Sequence, residues 1–182
     1  MITRKFCLSK LGQVWIETAI YTLIGLSVIA ILLSLATPQI DKMKDRGTIQ
    51  QTITALGNLD SQITDASDTA GTIKVVPFKI SKGKLNFDPL SDRIVFVFEN
   101  TRLKYSEVGS RIPVGDLFVE TQTIGKRFNV FIELNYANIN LTFSNGENNL
   151  TLHPGATPHN IQIENVGDQG PTDKIHIDLR VA

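Results

Sequence analysis

The sequence predicts an α+β chain: a long N-terminal α-helix, then an antiparallel β-sandwich head, with an immunoglobulin-like arrangement among the candidates for the head. Three observations carry this. Residues 18–37 contain no charged side chain. Residues 49–63 bring apolar side chains back every three or four positions, the spacing of one helix face. Beyond residue 72 the repeat drops to two, the period of a half-buried strand.

The uncharged run is TAIYTLIGLSVIAILLSLAT, Thr18 to Thr37. About 20 such residues suffice to cross a bilayer as a helix, and a soluble domain rarely contains them. Thr18 and Thr22, and Ala30 and Ser34, lie four apart, a spacing of small residues that lets membrane helices approach closely. After Pro38 come Ile40, Met43, Ile49, Ile53, Leu56, Leu59 and Ile63, the last five on one helix face, with Asp41, Lys42, Lys44, Asp45 and Arg46 between. Pro38 is expected to kink the join rather than end the helix. Gly47 and Gly57 weaken the second half by up to about 1 kcal/mol each relative to Ala. The helix is placed at 13–66, apolar over 13–37 and amphipathic over 39–64. At 1.5 Å per residue it would be roughly 75–80 Å long. No small domain buries such a rod by itself, so a membrane, a partner or further copies must cover it.

The segment DASDTAGT, 65–72, has turn composition and marks the junction to the head at 72–182. There Ile94, Phe96 and Phe98 share a face. Phe128, Val130, Ile132 and Leu134 alternate with Arg127, Asn129 and Glu133. Ile139, Leu141 and Phe143 alternate with Asn140, Thr142 and Ser144, and Ile175, Ile177, Leu179 and Val181 with Lys174, His176, Asp178 and Arg180. Turn signals SKGK (81–84), SNGENN (144–149) and VGDQGPTD (166–173) separate the runs. Eight or nine short strands are expected.

Formal net charge is zero, so nothing global points to nucleic acid or an acidic substrate. The balance is uneven: residues 1–12 hold Arg4, Lys5 and Lys10 and no acid, and without them fifteen basic groups face eighteen acidic ones. The single cysteine, Cys7, excludes a disulfide framework. It also precedes the apolar run, where a lipoprotein cysteine would follow one.

From Arg4 to Glu17 the chain reads RKFCLSKLGQVWIE: a short basic segment up to Gly12, then Gln13, Val14, Trp15, Ile16 and Glu17 leading into the apolar run. A carboxylate near the edge of a membrane helix is costly, up to about 2.5–3.5 kcal/mol at a helix centre and less near the interface, so it calls for a partner. This constellation resembles the class III signal peptide of type IV prepilins, and Gln13 at the first mature position is closer to the archaeal pilins. Trp15 departs from the serine common at the third mature position there. The resemblance covers residues 1 to about 64. It implies a leader, 1–12, cut between Gly12 and Gln13 by a prepilin peptidase on the cytoplasmic side. It implies that Glu17 sets assembly register by meeting the new amine of Gln13 on its own or a neighbouring subunit. A buried charge without its partner is destabilised by about 3–5 kcal/mol.

Two rival readings are an ordinary signal-anchor, and a secretory signal peptide cut after Ala36, with Ser34, Leu35 and Ala36 as its small-residue site. The run is too long for the second, Glu17 interrupts its start, and Pro38 lies close to the cut. Lysine and arginine counts on the two sides tie, three against three, so an N-in, head-out orientation rests on the resemblance.

In the head, Asn140-Leu141-Thr142 and Asn149-Leu150-Thr151 are N-glycosylation sequons, with Asn140 on the polar side of its strand and Asn149 at a turn. His153, His159 and His176 have no metal-ligand spacing, and His176 is expected at the surface. Asp168 and Asp173 flank Gly170 and Pro171 but lack the ligand density of a calcium loop. No catalytic constellation stands out, and no cofactor is expected. The expectation is therefore a non-enzymatic structural subunit of an extracellular pilus-like filament, adhesive or motile. Its partners would be identical or related pilin subunits, the prepilin peptidase, the membrane assembly machinery and, before assembly, the membrane crossed once. The alternative is a minor pilin or membrane-tethered module that binds a surface or glycan without polymerising.

Overall fold

The computed structural model describes residues 10–167 and 174–181, with side chains from Val14 onward. The chain falls into two units, Met1–Asp41 and Lys42–Ala182. One α-helix, α1 (Lys10–Ser67), supplies the first unit and opens the second, and Pro38 lies inside it without ending it. The expected helix at 13–66 thus starts three residues earlier and ends one later. The apolar half is placed as expected. Most of the leader, with Cys7, lies outside the described residues, as does the Asp168–Asp173 turn.

In the second unit Ile49, Ile53, Leu56, Leu59, Ile63 and Ala66 are all buried. Their spacing of three or four puts them on one side of α1. Met43 is 74 % exposed, so the packed stripe begins at Ile49 rather than at Met43. The helix is tied at both ends of this stripe. Near its start the Asp45 carboxylate accepts from Thr101 Oγ1 at 2.6 Å, the Arg102 amide at 3.3 Å and Lys82 Nζ at 2.8 Å. At its end Asn165 Nδ2 donates to the carbonyls of Ala66 (2.9 Å) and Ser67 (3.1 Å), which a helix C-terminus leaves without partners.

Among the described residues ten strands follow where eight or nine are expected. They are β1 (Ile73–Phe78), β2 (Lys84–Asp88), β3 (Arg93–Thr101), β4 (Arg111–Val114), β5 (Leu117–Ile124), β6 (Arg127–Asn135), β7 (Ile139–Phe143), β8 (Leu150–Leu152), β9 (His159–Gly167) and β10 (Ile175–Val181). Strands β4 and β8 are four and three residues long, too short to show a period. The order is β4-β5-β6-β3-β2-β8 in one sheet and β1-β9-β10-β7 in the other. All pairings are antiparallel except β7 with β10. The inward side chains of both sheets, such as Phe96, Ile132, Ile163 and Leu179, join the α1 stripe in one core, giving a β-sandwich-like head. Burial of these apolar groups is the main stabilising force.

The SKGK turn depends on Gly83. Its φ is +96°, and a Cβ there would sit 2.6 Å from the Val97 carbonyl oxygen and 2.8 Å from the Phe96 ring. Only glycine meets both conditions.

The alternation expected for β10 is interrupted near its start. Its register against β9 shifts between His176 and Ile177. Past that bulge Asp178, expected on the polar face, is fully buried, while Ile175 is 36 % exposed. Ile177 and Leu179 still enter the core, so Asp178 keeps the opposite face and is buried there among Thr142, Asn145 and Arg180.

Candidate functional site

The largest unsatisfied surface is the first half of α1. Its most apolar 18 residues have a mean hydropathy of 2.4, and none of them is buried. Trp15 is 75 % exposed, Leu26 64 % and Leu35 66 %. By length and composition this helix can cross a membrane. An apolar surface this large and continuous marks contact with lipid or protein. Its hydroxyls are already satisfied by the helix itself. Thr18 donates to the Val14 carbonyl (2.9 Å), Thr22 to Ala19 (2.8 Å), Ser27 to Leu23 (2.7 Å), Ser34 to Ile31 (2.7 Å) and Thr37 to Leu33 (2.8 Å). No polar hydrogen of these five needs water, so they enter an apolar surrounding at low cost.

Glu17 is the single acid in this stretch before Asp41. Its Oε1 accepts from the Tyr21 hydroxyl, one turn on, at 3.3 Å, a long bond that leaves the carboxylate free to take a stronger partner. Gly12 and Gln13 lie within the helix, but the Gln13 side chain is outside the described residues.

The head places the two sequons differently. Asn140 is half-buried, and the hydroxyl of its Thr142 is buried and donates to Asp178 Oδ1 at 2.8 Å. Asn149 is exposed, and so is Thr151, whose hydroxyl donates to Asn86 Oδ1 at 2.8 Å. Asn149 also lines a groove of about 430 Å³ on the outer face of the six-stranded sheet.

His176, expected at the surface, is half-buried, with Nε2 2.9 Å from Thr142 Oγ1. Thr142, His176 and Asp178 therefore meet, a trio separated by 34 residues of chain that no spacing in the sequence announces. Its hydrogen bonds run the wrong way for a nucleophile. Thr142 donates its hydroxyl proton to Asp178 Oδ1, so towards His176 Nε2 its oxygen is left to accept. Asp178 Oδ1 also accepts from the Asn145 amide at 2.7 Å, and its Oδ2 from Arg180 Nε at 2.9 Å. Asn145 and Ser144 both have positive φ, 58° and 51°, so the carboxylate holds a tight turn. His159 Nε2 bonds the His153 carbonyl at 2.9 Å. Among the described residues no three His, Cys, Asp or Glu side chains converge as metal ligands would.

Two carboxylates near the α1 stripe are shifted in opposite directions. Burial disfavours the charge on Asp45, but the bonds from Lys82, Thr101 and Arg102 outweigh it and hold the group below its ordinary value. Asp60 is raised, chiefly by burial and also by the charge of Asp116. The Tyr136 phenol is pushed well up by burial and by the neighbouring Asp60. Its hydroxyl lies close to that carboxylate, but the geometry falls short of a hydrogen bond.

No family model, no curated protein and no solved structure matches this chain.

Proposed function

We propose that this chain is a structural, non-enzymatic subunit of an extracellular type IV pilus-like filament. Its apolar helix lies in the membrane before assembly and in the filament core afterwards. One observation carries the reading: the second half of α1 is consumed by the head's core, while its first half, apolar on every side, is exposed among the described residues. Copies of the same helix are the simplest cover once a subunit leaves the bilayer. Glu17, the acid before Asp41 in that surface, then needs a cationic partner, and the amine of Gln13 after cleavage supplies one of the right sign. The head remains outside, where its sheets form the filament surface.

The test is the mature N-terminus, read by mass spectrometry on membrane and sheared-surface fractions, with electron microscopy of the sheared material. A start at Gln13 together with filaments supports the reading. A start at Met1 with the protein confined to membranes favours a tethered surface-binding module. A start at Thr37 removes the helix and ends the filament reading.

A further inference from the structure

The groove on the outer face of the six-stranded sheet has an apolar floor and a polar rim. Val95, Val97 and Phe131, all half-buried, form the floor, and Asn86, Asp88 and Arg93 stand at the rim, the last two paired at 2.7 Å. An aromatic ring with flanking amide, carboxylate and guanidinium groups suits a sugar. The ring meets the apolar C–H face, and the polar groups take the hydroxyls. Asn149, the acceptor residue of the exposed sequon, stands in the lining of this same groove.

We propose that Asn149 alone of the two sequons carries an N-linked glycan, and that the first sugars of this glycan lie in the groove over Phe131, Val95 and Val97. In the transfer, the Asn149 amide nitrogen bonds to the anomeric carbon of a lipid-phosphate-linked glycan. The bond from that carbon to the phosphate oxygen breaks, the phosphate leaves with its electron pair, and the amide proton passes to a base of the separate transferase. The folded head closes the other sequon. The Thr142 hydroxyl, which must be presented with the acceptor, is buried and bonded to Asp178, and Asn140 is half-buried in β7. At Asn149 the hydroxyl of Thr151 is exposed, and β8 is an edge strand only three residues long. The attachment point at the rim supplies the argument for the occupant: a tethered sugar is held at high effective concentration over the floor. The proposal rests on the head being outside the cell.

The experiment is peptide mapping of the native full-length protein, with the N-terminal peptide read in the same digest. A glycan on Asn149 with Asn140 unmodified is expected. An unmodified Asn149, or a glycan on Asn140, overturns the proposal whatever N-terminus is found. A Gln13 start beside an unmodified Asn149 leaves the filament reading standing alone, and a glycosylated Asn149 beside a Met1 start does the reverse. Seating in the groove is read by thermal unfolding of the detergent-solubilised glycoprotein. Asn149→Gln and Thr151→Ala, which both remove the glycan, should each lower Tm by about 2–4 °C. In a Phe131→Ser background, or a Val95→Thr background if that variant does not fold, the loss should vanish. An undiminished loss in these backgrounds, or no loss in the wild type, overturns the seating.

Discussion

The carboxylate of Asp178 and the hydroxyl of Thr142 meet at 2.8 Å inside the head, across the parallel β7–β10 pair. Asp178 gathers donors from three places: Thr142 on β7, the Asn145 amide in the following turn, and Arg180 on its own strand. Asp178→Ala strands the Thr142 hydroxyl and the Asn145 amide, at about 1–3 kcal/mol for each donor left buried and unpaired. Thr142→Val removes one donor and leaves the carboxylate two others, so it should cost less. Thermal unfolding of the unglycosylated chain in detergent, followed by circular dichroism, compares the two. Equal losses would show that Asp178 does not organise the turn.

The two halves of α1 should answer mutation in opposite ways. Leu59→Ala opens a cavity in the core shared with both sheets and should destabilise the head by about 2–5 kcal/mol. Leu33→Ala alters a side chain that is 61 % exposed and touches no core. Head unfolding should then stay within about 0.5 kcal/mol of wild type. Leu33→Ala should instead lower filament yield, counted by electron microscopy on cells expressing it. A Leu33→Ala variant that unfolds the head while leaving filaments intact would contradict this division.

How much of this was legible beforehand depended on how far apart the interacting residues lie. The stripe from Ile49 to Ile63 and the alternation in β3 and β6 are local patterns, and periodicity finds them. The burial of Asp178 depends on Thr142, 36 residues back, and on the turn at Asn145, so the alternation that places Ile177 and Leu179 inward finds its face but not its burial. The two sequons look equivalent as strings, and only the partner of Thr142 separates them. The groove also escaped, because Val95, Val97 and Phe131 fall on the side of β3 and β6 that alternation assigns to solvent.

Stability should fall in acid for one pair of groups and rise for another. Asp45 and Asp88 have folded values below their ordinary 3.8, Asp45 despite burial and Asp88 chiefly through its bond from Arg93. Their contribution is complete above 3.8 and is lost as pH drops through the lower folded value. Asp60 has the opposite sign: raised above 3.8 by burial, it favours the fold while protonated. That contribution is present below 3.8 and disappears as pH rises through the folded value. Asp45→Asn should therefore lower Tm at pH 7 and flatten the acid limb, whereas Asp60→Asn should raise Tm at pH 7 and have no effect near pH 3. A Tm series from pH 3 to pH 7 on the two variants checks both signs.

Glu17 gives the sharpest test of assembly. Among the described residues its carboxylate has the long bond from Tyr21, at 3.3 Å, and is otherwise exposed on the apolar run. Within a packed stack, an amine of Gln13 without its carboxylate would be a buried, uncompensated charge, at a cost of about 3–5 kcal/mol per subunit. Repeated along a filament, that cost is enough to stop growth. Glu17→Ala should leave head stability and membrane insertion unchanged and abolish incorporation into filaments. Glu17→Gln, which keeps the size but not the charge, should do the same, because the partner to be neutralised is a cation. The readout is the fraction of variant subunit in sheared filaments against that in membranes, in cells that also make the wild type. Normal incorporation of Glu17→Gln would remove charge pairing from the account and leave the apolar surface alone to drive assembly.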